Sequence, residues 1–166
     1  MKSLIIALAC LGLVSCTISF PAPGSTEQQP TPSVDINSES ALASLPASGL
    51  GPQTLLPGEC GLFLWSQTDA SKFIFFSKAI SGAALVSQSE GPVELTQTGA
   101  RGDIFGQFNT ELSYLSTSGA TVDLTIVPGE ELLGGQRIES GMLTVVDLVG
   151  WVTKLPVLGV RACQPE

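Results

Sequence analysis

The chain has 166 residues, seven basic against fifteen acidic, no histidine at all and a formal net charge of -8. Without histidine, Ser-His-Asp and Cys-His catalysis within one chain is excluded, as are zinc sites built from mixed His and Cys ligands. An acidic chain with no Lys/Arg run is repelled by phosphate backbones and gives anionic lipid no handle, so no nucleic-acid partner is expected. The length suits one ordinary domain with additional segments, and the low charged fraction of 13% suits a folded body with a neutral polar surface.

In chain order, Met1-Lys2-Ser3 is a short, weakly positive start, followed by an apolar run from Leu4 to Leu13 broken only by Gly12. A helix needs ~20 apolar residues to cross a bilayer core of ~30 Å, so this run is too short to span unaided. Ser15, Thr17 and Ser19, then Pro21 and Pro23, end it. Length and flanks match the apolar region of a secretory signal peptide. The following Leu13-Val14-Ser15-Cys16 resembles the lipobox of bacterial lipoprotein precursors. The resemblance covers the first 16 residues and implies a signal peptide over 1–15, cleavage before Cys16, a diacylglycerol on the Cys16 sulfur and a further acyl chain on its amine. One acyl chain holds a protein to a membrane only marginally, whereas two or more hold it stably. Thr17 stands where enteric lipoproteins retained at the inner membrane carry Asp, which by that analogy points to the outer membrane and a periplasm-facing location. The alternative is an ordinary secretory signal cut between Cys16 and Phe20.

On that reading Cys10 leaves with the signal, Cys16 is acylated, and Cys60 and Cys163 remain in an oxidising compartment. A disulfide between them would join the start of the folded domain to its end; the alternative is two buried free thiols.

Residues 16–54 are rich in Pro, Ser, Gly and Gln and poor in aromatics, as in "FPAPGSTEQQPTPSVD" and "LPASGLGPQ". Such a composition predicts a disordered tether with an average reach of ~30 to 40 Å, within which "SESALASL" could form a short helix capped by Ser38. Over 55–166, apolar runs of four to eight residues alternate with turn residues: "CGLFLWS", "KFIFFS", "AALVSQ", "VELTQT", "ATVDLTIV", "RIESGMLTVVDL" and "WVTKLPVLGV". Val122, Leu124 and Ile126 alternate with Thr121, Asp123 and Thr125, the pattern of a strand with one buried face. In "DIFGQFNTELSYL" the apolar spacing is also compatible with a helix behind Asp103, but Gly106 and the aromatic content favour strands. The expected fold is all-β, a small antiparallel sandwich or flattened barrel. Its expected core is Leu62, Leu64, Phe73, Phe75, Leu95, Val122, Leu124, Leu143, Val145, Trp151 and Leu155.

Motifs that could carry chemistry are few. Arg101-Gly102-Asp103 is the tripeptide that integrin ligands present, and an ordinary turn around Gly102 explains it better. Glu130-Glu131 could suggest a carboxylate pair, but strand neighbours point to opposite faces and Pro128-Gly129 suggest an exposed turn. No EF-hand or P-loop spacing is present, so neither a metal nor a cofactor is expected. Trp65 and Trp151 could line a binding surface but are expected in the core. The expected function is therefore a membrane-anchored, non-enzymatic envelope protein that binds a protein or cell-wall component. The organisation also resembles, in form alone, small periplasmic lipoproteins that inhibit lysozymes or proteases. A carboxylate-based enzyme is the third alternative.

Overall fold

A computed structural model describes residues 49–166; the expected signal peptide, Cys16, most of the expected tether and the expected helix behind Ser38 lie outside the described residues. The turn residues divide the described chain into eight strands. These are β1 (Cys60–Ser66), β2 (Phe73–Lys78), β3 (Ala83–Gln88), β4 (Gly91–Phe105), β5 (Phe108–Ser116), β6 (Thr121–Leu132), β7 (Gly135–Val146) and β8 (Val152–Cys163). Each pairs antiparallel with the next, and β8 returns to β1, so the sheet closes into a barrel. Closure leaves no strand edge unpaired, which removes the template for edge-to-edge association.

Side-chain alternation decides which residues fill the barrel. On β6, Val122, Leu124 and Ile126 are buried while Thr121, Asp123 and Thr125 are exposed. Leu62 and Leu64 on β1 join them in one cluster with Phe75, Val86, Leu95, Leu112, Tyr114, Leu143, Leu155 and Val157. An eight-stranded barrel is just wide enough for side chains to fill. Each of these fully buried aliphatic or aromatic groups stabilises by roughly 1.5–3 kcal/mol.

The two rims differ. At the terminal rim stand the start of β1, the end of β8, and the β2–β3, β4–β5 and β6–β7 turns; the other four turns lie at the far rim. Cys60 and Cys163 are register partners at the terminal end of the β1–β8 seam, with their sulfurs at disulfide-bonding distance and their Cα atoms 4.0 Å apart. A tight hairpin pairs Phe105 with Phe108 through Gly106 and Gln107, Gly106 taking the left-handed φ of 60° that the turn requires. This segment is therefore two strands. Of the residues at helix-like spacing, Phe105, Phe108 and Leu112 are buried, while Ile104 before them and Leu115 after them are exposed.

Residues 49–59 form a strap along the outer wall of β1 and β2. The Leu50 amide donates to the Phe73 carbonyl at 2.6 Å, and Leu50 is buried. Phe63 and Phe76 face outward yet pack at a tilt with ring centroids 5.0 Å apart, with Phe63 also stacked on Phe73 and Phe73 tilted against Trp65. Gly61 makes room for this layer: a Cβ there would lie 3.0 Å from both Leu55 Cδ2 and Phe76 Cε2. The strap ends at Glu59, whose Oε2 accepts from the Leu56 amide and from Lys78 Nζ, both at 3.0 Å. Gly58 and Gln164 complete the fastening through backbone bonds between the strap and the chain end.

Three sequence expectations are corrected here. Trp151 is 76% exposed, because it lies in the turn before β8 and projects beyond the barrel. Phe73 is only half-buried on the outer wall. The cause is a bulge between Leu64 and Trp65 that brings Ile74 as well as Phe75 inside. Gly102 sits in an irregularity within β4, at φ 76°, and not in a turn. Val145, expected in the core, packs against it while partly exposed.

Candidate binding surface

The barrel interior is occupied by buried side chains. Among them Tyr114, fully buried, donates its hydroxyl to Ser77 Oγ at 3.0 Å and meets Phe75 edge-on at 5.4 Å. Burial pushes the Tyr114 phenol up to about 12, with the Ser77 hydrogen bond pulling slightly the other way. At the terminal rim, Arg161 stands level with Leu62 and Gln136 on the inner side. Its guanidinium carbon lies 5.5 Å from the Phe105 ring centroid. A Cβ on Gly106 would come within 2.7 Å of Arg161 Nη1, so the β4–β5 turn closes directly over this side chain. Arg161 Nε is buried without a hydrogen-bond partner. Together Phe105, Phe108 and Arg161 stopper this end.

Binding chemistry is therefore left to the outer wall and the rims. An open groove of about 540 Å³ lies where β6 and β7 depart from regular pairing beside β8 and β1. Register irregularities at Pro128 and between Ile138 and Gly141 shape it. Trp65, Leu158 and Val160 give it an apolar wall, and Glu130, Arg137 and Glu139 bring charge to it. Gly159 lets β8 approach β1 here, because a Cβ at that position would run into the Phe63 carbonyl. Trp65, placed in the core by sequence reasoning, instead stands at the junction of this groove and the outer aromatic layer.

Other sequence candidates separate in space or lie elsewhere. Glu130 lines the groove, whereas Glu131 sits beyond it near the exposed β6–β7 tip, so the two do not form a converging pair. Both are on β6, and the turn itself is the two residues Leu133 and Gly134. Arg101 and Asp103 are exposed on β4. Arg101 Nε lies 3.9 Å from Glu111 Oε2, and the Asp103 amide donates to Thr110 Oγ1 at 2.9 Å. These contacts account for both residues within the hairpin.

One feature escaped sequence reasoning. The β7–β8 turn at the far rim presents Leu148, Val149 and Trp151, exposed by 72%, 79% and 76%. Asp147 builds it: one carboxylate oxygen accepts from the Val149 and Trp151 amides at 2.9 Å, and the Asp147 carbonyl accepts from Gly150. Val149-Gly150 in "DLVGW" marks the turn in the sequence, but nothing there shows that Leu148, Val149 and Trp151 point outward instead of packing inside.

Fold and surface together define an up-and-down eight-stranded β-barrel with a filled interior. No protein-family model, curated protein or solved structure matches this chain.

Proposed function

We propose that this chain is a lipid-anchored protein of the bacterial cell envelope, held to the membrane through acyl chains on Cys16 and facing the periplasm. Its barrel acts as a non-enzymatic module that binds an envelope protein or cell-wall component on its outer wall. The observation that carries the binding reading is the division of the barrel. Its interior is occupied by its own buried side chains, while a groove of about 540 Å³ lies outside and combines apolar and charged residues. An apolar centre with a charged margin is the composition of a recognition surface for another macromolecule. The lipobox supports the anchor, and the Cys60–Cys163 pair fits an oxidising compartment.

The test is crosslinking and capture from the native envelope with three forms: the intact protein, a Cys16→Ser form, and a Trp65→Ala/Leu158→Ser variant. Capture of a defined partner by the intact form, lost in the groove variant, is the expected result. Equal capture by the intact and groove variants would remove the groove from the account.

A further inference from the structure

We infer that the Asp147–Trp151 turn is a second membrane contact, which inserts into the bilayer holding the anchor and sets which rim of the barrel faces it. This inference rests on the anchor reading above. Turns normally carry polar residues, yet this one directs Leu148, Val149 and Trp151 outward, with Val152 also exposed beside them. A flexible apolar loop would collapse against the barrel. The paired bonds to Asp147 hold this one extended and satisfy the Val149, Gly150 and Trp151 amides within the turn. Internal pairing of backbone groups is the condition for entering the apolar side of a bilayer interface, and tryptophan is enriched at that interface.

The chain's own path selects a bilayer as the occupant. Gly49 and Leu50 lie beside Phe73, level with Trp65 and next to the β1–β2 turn of the far rim, and the strap then runs from there to the terminal rim. The described chain thus begins at the rim that carries the apolar turn. Cys16 lies 33 positions before Gly49 in the sequence, so the segment carrying the proposed anchor joins the described barrel at this rim. The terminal rim carries exposed apolar side chains of its own, Leu132 and Leu133 in one tip with Ile80 and Ile104 elsewhere, but on the side away from where the chain enters. The Asp147 carboxylate is engaged by the turn's own amides; the exposed charges around it are Lys154 along β8 and Glu90 in the neighbouring β3–β4 turn of the same rim.

The experiment uses protein beginning at Cys16, with Cys60 and Cys163 oxidised, coupled through Cys16 to a maleimide phospholipid. This supplies the anchor whether or not the cell does. The vesicles are phosphatidylcholine, chosen because a chain of net charge -8 is repelled by anionic headgroups. In a Trp65→Phe background Trp151 is the sole indole, and lipids brominated along their acyl chains report its insertion. The expected result is a fall in emission of about two-fold or more relative to unbrominated vesicles, abolished by Leu148→Ser/Val149→Ser. A control carries Leu133→Trp with Trp65→Phe and Trp151→Phe, and its emission is expected to be unchanged. No quenching of Trp151, or equal quenching at both tips, overturns the inference. The anchor reading is judged separately, by the mass of the native N-terminus, so either can fail while the other stands.

Discussion

Replacing Cys60 and Cys163 together by alanine removes the one covalent link across the seam where the barrel closes. The two residues are 103 positions apart, and β1 and β8 must find each other across nearly the whole described chain. In the chain-entropy model a loop of this length, cross-linked, costs the unfolded state about 4.7 kcal/mol of freedom. For a barrel of roughly 120 residues, unfolding entropy near the midpoint converts that into a fall of up to about 15–20 °C in melting temperature. The assay is reversible thermal unfolding followed by circular dichroism, for the oxidised protein, the reduced protein and the double variant. If the bridge acts through the unfolded chain, the reduced protein and the alanine variant should fall together and retain the same native spectrum. Seven register pairs between β1 and β8 remain to close the barrel without it. A loss of only about 3 °C or less would refute the reasoning, since long-loop closure entropy would then not be the main contribution of the bridge.

Tyr114 is the only tyrosine in the chain, so its titration can be read directly from tyrosinate absorbance. With the buried phenol pushed up to about 12, its proton contributes stability that is complete below about pH 10 and is lost as pH rises towards 12. The loss amounts to about 2–3 kcal/mol, and a native protein that half-ionises Tyr114 near pH 10 would contradict this. Glu59 behaves in the opposite sense. Its carboxyl is held below the ordinary glutamate range, first by the Leu56 amide and then by Lys78. Its contribution is therefore present above about pH 5 and is lost as pH falls through its lowered value; Glu59→Gln should flatten the acid limb of a stability–pH curve. An unchanged acid limb would show that the strap fastening does not depend on that charge. Gly159→Ala drives a methyl into the Phe63 carbonyl where β8 meets β1, and should destabilise by about 1–3 kcal/mol in chemical denaturation. A neutral result would mean the seam can open without cost.

The alternation that defines strands was plain where polar and apolar residues changed places every second position, as on β6. From it followed the all-β class, most of the strand segments and most of the core. Closure into a barrel was not decidable from that pattern, because a sandwich and a barrel bury alternating residues in the same way. The errors lie where a second layer or a projecting turn breaks the rule that large apolar residues go inside. Phe73 and Trp65 belong to an outer aromatic layer, beside which lie Leu50, from a segment read as tether, and Leu55, the first residue of the expected domain. Trp151 was read as core because tryptophans in a β domain short of aromatics usually pack inside, whereas Asp147 builds a turn that holds it outward. The groove was illegible for a different reason: Trp65, Arg137 and Leu158 are brought together only by the register irregularities of β6, β7 and β8.

Attachment to a membrane through Cys16 is the premise on which the location of the barrel and the role of its far rim depend. Intact-mass and peptide mass spectrometry of the protein purified from native membranes tests it most directly. The N-terminal peptide should begin at Cys16 and carry diacylglycerol on the thiol with a further acyl chain on the amine. A peptide that begins at Met1, or a mature terminus with no fatty acyl mass, would contradict the account.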